Sequence, residues 1–132
     1  MKYFLYSATI LLISFSLISS QQGFDLVKSI ERGKQIYNTQ CFTCHMEKGE
    51  GIQGVYPPLA KSDYLMADKT RAIKQVLEGA NGEMVVNGEK YFGFMTGFPL
   101  SDTEVSDVLN YIRNSWGNKG EPVKPSEVKA QR

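Results

Sequence analysis

One short segment of the 132-residue chain carries the residues best suited to chemistry, Cys41-Phe42-Thr43-Cys44-His45. The chain has only two cysteines and one histidine, and all three lie in this Cys-x-x-Cys-His segment. Two thiols on one turn can add across the two vinyl groups of a haem, and the adjacent imidazole then lies beneath the iron. The spacing therefore predicts one covalently attached haem, with Cys41 and Cys44 as the attachment points and His45 as an iron ligand.

Three other interpretations of the motif stay open at this stage. A Cys-x-x-Cys pair also serves thiol-disulfide exchange, although that fold needs a strand before the motif and the pattern here predicts a helix. A zinc site would lack a second pair of ligands. One structural disulfide is the least specific alternative. Free thiols in the purified protein would favour the exchange enzyme.

Composition narrows the class of protein. Apolar residues make up 42% of the chain and charged residues 22%, as in an ordinary soluble globular domain, which argues against disorder and against a polytopic membrane protein. Lys and Arg number 15 against 14 Asp and Glu, so the formal net charge is only +1. Because no basic excess is present, no nucleic-acid partner is expected.

Residues 1–20 resemble a targeting segment. A short basic start is followed by an apolar, serine-interrupted run without acidic residues, and the run ends at Ser19-Ser20. This pattern predicts a signal peptide cut near Ser20 and a periplasmic protein. An uncleaved anchor is the alternative, and it is the only route by which membrane association is expected. The apolar run is short for a membrane span.

The rest of the chain predicts short helices around glycine-rich loops, with residues 21–118 as one domain and 119–132 as a polar tail. Residues 40–59 lack helical periodicity, and such a long loop is usually functional or wrapped around something. The apolar area of the helices is small for this loop content, so a large buried cofactor would supply the missing core. The predicted elements are a helix over 24–38, a short helix over 61–67, a helix over 69–78 capped by Asp68, a hairpin over 84–94 turning at Asn87-Gly88, a loop over 94–99, and a last helix that starts at the Ser101–Glu104 capping box and reaches Trp116.

These features together resemble the class I monohaem cytochromes c of bacteria. Arg32–Tyr37 followed by Cys41–His45 resembles the first helix and haem-binding segment of that family. Tyr56–Leu59 resembles its proline-leucine segment, and Asn110–Asn118 resembles the end of its last helix. The resemblance runs from about Gly23 to Asn118. It implies an all-α fold of three to four short helices wrapped around one covalent haem c, with a small β-hairpin before the loop of the methionine ligand.

The resemblance also implies roles for single residues. Met95 lies between the hairpin and the last helix, where the family has its methionine ligand, although here Thr96 rather than proline follows it. Met84 remains an alternative ligand, and Met66 is interpreted as core. The first proline of the Pro-x-Leu segment, Pro57, is expected to accept a hydrogen bond from His45. Gly33 is expected where the first helix crosses the last, against Val108 and Tyr111. Candidate pocket walls are Leu59, Tyr91, Phe92, Phe94, Phe98 and Trp116.

The function implied is single-electron transfer on a His/Met-ligated haem, without substrate chemistry, so the protein is not expected to be an enzyme. Its expected partners are a redox donor and acceptor, such as a respiratory complex, an oxidase, a reductase or a dehydrogenase. One alternative is the haem subunit of a larger dehydrogenase or reductase. Another is an open-site haem enzyme or gas sensor, which would require that Met95 does not bind the iron.

Overall fold

The computed structural model describes residues 23–132, and the predicted signal peptide lies outside them. The described part is mostly helical, with one two-stranded antiparallel sheet. No helix within it is long and apolar enough to cross a membrane. In chain order the elements are α1 (Leu26–Gln40), α2 (Phe42–His45), α3 (Asp63–Ala67), α4 (Lys69–Glu78), β1 (Gly79–Val86), β2 (Glu89–Thr96), α5 (Asp102–Arg113) and α6 (Pro125–Lys129).

The helix starts predicted from capping residues are confirmed. Asp68 accepts a hydrogen bond from the backbone N–H of Arg71 at 2.9 Å, and α4 begins and ends as predicted. At the start of α5, Ser101 and Glu104 form a reciprocal capping box, with bonds of 3.3 and 2.8 Å. These contacts satisfy backbone donors that the first turn leaves without partners.

Helices α1 and α5 cross at Gly33. A side chain at this position would collide with the backbone carbonyl of Asp107, and its Cβ would lie 2.9 Å from the Cβ of Tyr111. The predicted crossing is therefore confirmed, but the residue beside Tyr111 is Asp107 rather than the expected Val108. Val108 points instead into the cavity described below. A one-residue difference turns a helical side chain by about 100°.

Next to the crossing, a buried polar network joins the same two helices. The Ser29 hydroxyl donates to the Asp107 carboxylate at 2.6 Å, and Arg32 donates to both oxygens of that carboxylate at 2.6 and 2.8 Å. The Asp107 side chain is only 3% exposed. Since a buried charge is tolerated when it is paired and hydrogen-bonded, this arrangement accounts for a carboxylate at the helix interface.

The hairpin is longer than predicted. Strands β1 and β2 pair from Gly79–Thr96 at the open end to Val86–Glu89 beside the Asn87-Gly88 turn. Both turn residues have positive φ, 52° and 84°, as a primed two-residue turn requires. The extension puts Met95 in β2, opposite Ala80, and not in the loop over 94–99 that the sequence predicted. The prediction was too short because residues 79–83 show no apolar alternation. They belong to the strand because their backbone pairs with β2.

Residues 119–132 do not form the polar tail that the sequence predicted. Val123 and Val128 are fully buried and belong to the hydrophobic core, and residues 125–129 form α6. The side-chain amide of Asn110 donates to the Val123 carbonyl at 2.8 Å and accepts from the Val123 N–H at 2.7 Å. The polar composition of this segment predicted that it would be solvated. Burial of Val123 and Val128, with the Asn110 hydrogen bonds, attaches it to the core instead.

The described residues contain six helices, where the sequence predicted three or four. Helix α6 is one of the additional elements, and α2 is the other, a single turn inside the predicted loop over 40–59. The turn is closed by backbone bonds from His45 to Cys41 at 3.0 Å and from Met46 to Phe42 at 2.8 Å. Because four residues are too few to show a helical period, the hydrophobic pattern of the sequence could not predict α2.

Candidate cofactor site

A mostly apolar cavity of about 400 Å³ lies between the helices and the hairpin. That volume falls in the range of cofactor and ligand sites. The segment 40–45, the loop over 55–59, α4, both strands and α5 all contribute to its walls. The five residues predicted to bind the cofactor or its iron line this one cavity: Cys41, Cys44, His45, Pro57 and Met95.

His45 is held in a defined orientation. Its Nδ1 lies 3.0 Å from the carbonyl oxygen of Pro57, the contact implied by the Pro-x-Leu segment. A carbonyl only accepts, so Nδ1 carries the proton and Nε2 keeps its lone pair. Burial lowers the pKa of His45, against a smaller opposing effect of the hydrogen bond to Pro57. The imidazole is therefore neutral near pH 7, the form that coordinates a metal.

The loop that carries Pro57 folds back onto α2 because of its glycines. Gly51 has φ +64°, and a Cβ there would come within 2.8 Å of the Pro57 carbonyl. Its N–H donates to the His45 carbonyl at 3.1 Å, and further along the loop the Leu59 N–H donates to Gly49 at 2.7 Å. Glycine at position 51 thus supplies both the left-handed backbone and the space that bring Pro57 to His45.

The Cys41 and Cys44 side chains are both partly buried. Burial, with a smaller contribution from Cys44, raises the pKa of the Cys41 thiol to about 11. Cysteines that carry out thiol-disulfide exchange have lowered pKa values, because the thiolate is the attacking form. The environment of Cys41 therefore does not match the exchange enzyme that the motif alone left open.

Two methionines contribute to the cavity walls from one face of the hairpin. Met84 pairs with Tyr91 and Met95 pairs with Ala80, so both methionines point to the same side of the sheet. The register separates these two pairs by four residues, about 13 Å along the strands. One of the two at most can therefore reach the position opposite His45. Met66 packs beneath Gly120, where its Cε would lie 3.0 Å from an added Cβ, in line with its interpretation as core.

The remaining walls agree only in part with those expected from the sequence. Leu59, Phe92, Phe94 and Phe98 line the cavity. Trp116 instead packs on Tyr37 and Tyr111, with ring centroids 5.0 and 5.4 Å away. Tyr91 is buried without lining the cavity.

Two polar residues at the cavity were missed by the sequence reasoning, Tyr64 and Gln75. The Gln75 amide donates to the Tyr64 hydroxyl at 3.2 Å, and the Arg71 guanidinium stacks over the Tyr64 ring at 3.7 Å. They bring hydrogen-bonding groups to an otherwise apolar wall. Tyr64 and Gln75 come together only because α3 packs on α4, so no local sequence motif could have predicted their contact.

The sequence model of the cytochrome c family matches residues 30–116, more than half of the chain. The chain belongs to the cytochrome c family. Among its relatives is cytochrome c-552 of Thermus thermophilus, 40% identical over 110 residues, with 76% of this chain and 83% of the relative covered.

Subunits of larger enzymes are also similar. The cytochrome c subunit of a quinone alcohol dehydrogenase from Gluconobacter oxydans (strain 621H) is 33% identical over 88 residues, covering 65% of this chain and 18% of the relative. The cytochrome c subunit of gluconate 2-dehydrogenase from Pantoea cypripedii is 31% identical over 91 residues, covering 67% of this chain and 21% of the relative. This chain thus spans about a fifth of each of those subunits.

Members of the cytochrome c family bind one covalent haem c. The residues around the cavity fit this group. Both thiols line the cavity from the single turn over residues 41–45, the one histidine turns a free nitrogen lone pair away from Pro57, and the walls are mostly apolar. A soft thioether donor is available from the hairpin.

Proposed function

We propose that the protein carries single electrons on one haem c attached through Cys41 and Cys44, with His45 and Met95 as the two axial ligands. The observation that carries the proposal is the convergence of both thiols, the oriented His45 and Met95 on one apolar cavity. When bound, the haem supplies a one-electron couple between ferric and ferrous iron. Membership of the cytochrome c family supports the same function.

The chain's own residues bind the group and tune the couple. Pro57 holds the His45 ring through Nδ1, which leaves Nε2 as the donor atom. The apolar walls disfavour net charge in the cavity, and the soft sulfur of Met95 prefers ferrous iron. Both effects raise the reduction potential, as suits a carrier.

Met95 is the preferred sixth ligand because the family resemblance implies it and because it lies at the end of β2, next to the connection to α5. Met84 lines the same cavity but lies nearer the hairpin turn. Ligation by Met95 would leave no iron position for a substrate or a gas. We therefore propose a carrier rather than an enzyme or a sensor.

A second role at the same site is that of haem domain within a dehydrogenase or reductase complex. The similarity to cytochrome c subunits of two dehydrogenases favours it. The two roles differ in partner and not in the haem site. Affinity capture of the native protein from its own membranes, followed by a test for a copurifying dehydrogenase activity, distinguishes them.

We propose a periplasmic location, with residues 1–20 as a cleaved signal peptide. The basic start, apolar run and small residues near Ser20 support it. Electron transfer to a respiratory complex, oxidase, reductase or dehydrogenase outside the cytoplasm is the expected setting. The mass of the protein recovered from the periplasm tests the cleavage.

Mass spectrometry combined with optical spectroscopy tests the proposed function. A mass equal to the processed chain plus one haem is expected, together with low-spin, six-coordinate iron and a sulfur-to-iron charge-transfer band in the oxidised protein. A reversible one-electron redox titration should accompany them. High-spin iron in the isolated protein would contradict the carrier and favour the open-site alternative.

A further inference from the structure

The connection between β2 and α5, residues 97–101, is restrained at two points. On one side the Phe98 N–H donates to the Val76 carbonyl of α4 at 2.9 Å. On the other, the Arg132 guanidinium donates to the Leu100 carbonyl at 2.6 Å and to the Asp102 carboxylate at 2.6 Å. Because this connection begins two residues after Met95, these restraints limit how far the end of β2 moves from the cavity.

Arg132 is held in place by the buried part of the same segment. Val128 is fully buried in the core, and the Gln131 N–H donates to its carbonyl at 2.9 Å. Upstream, the two hydrogen bonds between Asn110 and Val123 attach the segment to α5. The guanidinium therefore reaches Leu100 and Asp102 from a backbone that is itself packed. This segment lies outside residues 30–116, the range that matches the family model.

We propose that Arg132 is a positioning residue for Met95. The planar guanidinium binds two acceptors on either side of Ser101, and this fixes the direction in which the chain enters α5. Without it, the connection loses its restraint on the side of α6, and Met95 would leave the iron more readily. The inference rests on the proposed function, since it requires Met95 to be the sixth ligand.

Exogenous imidazole binding to the oxidised holoprotein measures how readily Met95 leaves. In Arg132→Gln we expect imidazole to bind more tightly, by up to about fivefold, because exposed ion pairs contribute at most about 1 kcal/mol and 1.4 kcal/mol is tenfold. Arg132→Lys keeps the charge but loses the planar guanidinium that donates to two acceptors. Its imidazole affinity should lie between those of the native protein and Arg132→Gln. Lys129→Gln removes the same charge from α6 and should leave imidazole affinity unchanged.

Two outcomes overturn the inference. One is an imidazole affinity in Arg132→Gln equal to that of Lys129→Gln. The other is a lowered melting midpoint with unchanged affinity, which assigns Arg132 a structural role alone. The variant Met95→Ala separates this failure from that of the proposed function. If Met95→Ala keeps the charge-transfer band, the ligation itself is wrong; if it loses the band while Arg132→Gln has no effect, only the positioning role is wrong.

Discussion

Nδ1 of His45 and the carbonyl oxygen of Pro57 lie 3.0 Å apart, although twelve positions separate the two residues in the chain. The contact assigns the proton to Nδ1 and so determines which nitrogen remains available to a metal. Gly51 allows it, because a side chain there would occupy the space of the Pro57 carbonyl. The orientation of the His45 ring thus depends on a glycine that does not itself line the cavity.

Covalent attachment predicts that the colour stays with the protein in acid-acetone extraction. Thioether bonds to Cys41 and Cys44 survive a treatment that removes a haem held only by axial ligands. In the double variant Cys41→Ala/Cys44→Ala any colour should pass into the organic layer. Thr43→Ala, at an exposed position between them, should behave like the native protein. Colour that leaves the native protein would contradict the attachment.

Axial ligation predicts different outcomes for the two cavity methionines. Met95→Ala should keep the covalent haem, lose the sulfur-to-iron charge-transfer band, bind cyanide or carbon monoxide, and have a lower reduction potential, because a soft ligand that favours ferrous iron is gone. Met84→Ala should leave all of these unchanged. Spectra and a redox titration of both variants suffice. The reverse result would identify Met84 as the ligand.

Close packing at the α1–α5 crossing predicts that Gly33→Val destabilises the protein. The added side chain meets the Asp107 backbone and Tyr111, so the helices must separate. Overpacking of this kind costs about 1–3 kcal/mol in the free energy of unfolding, which denaturant titration measures. Gly23→Val is the matched control, since nothing lies within 4 Å of a Cβ at Gly23. Equal stabilities of the two variants would count against a tight crossing.

The Lys69–Glu127 ion pair at 2.5 Å predicts a pH-dependent contribution to stability. Burial opposes ionisation of Glu127, but hydrogen bonds from Lys69 and the Lys124 N–H, with the charges of both lysines, outweigh it and lower the pKa of Glu127. The stabilisation is therefore present above the ordinary value of 4.5 and is lost as pH falls through the lowered folded value.

Glu127→Gln tests this contribution. Because the two side chains are 31% and 36% exposed, the loss at neutral pH should not exceed about 1 kcal/mol. The difference in melting midpoint from the native protein should shrink as pH falls below 4.5. Glu31→Gln is the control, because it removes an exposed carboxylate from α1 and so measures the effect on stability of losing one negative charge. A difference that is independent of pH would argue against the ion pair.

Local features of the fold were predictable from the sequence because their causes are local. The caps at Asp68 and Ser101 depend on backbone groups within three residues, so α4 and the start of α5 follow from short stretches of sequence. The Asn87-Gly88 turn is local in the same sense. The Cys41–His45 motif is local too, since its chemistry lies in five consecutive residues.

Features that depend on distant partners were predicted only in part. The position of Gly33 at a helix crossing followed from the resemblance, whereas its contact with Asp107 depends on the rotation of α5 against α1. Met95 was expected in a loop, but pairing with Ala80 across the hairpin extends the strand through it. Burial of Val123 and Val128 depends on a space left between other helices, which composition does not reveal.

The sequence alone therefore determined the chemistry of the protein: two thiols and a histidine at a spacing that matches covalent haem, and a family resemblance over most of the chain. The tertiary structure decided the arrangement: the proton on His45, two methionines on one hairpin face, and residues 119–132 packed against α5. The reason is physical. Motifs and caps act over a few residues of chain, whereas contacts such as Ser29–Asp107 join residues 78 positions apart and form only when the whole core packs.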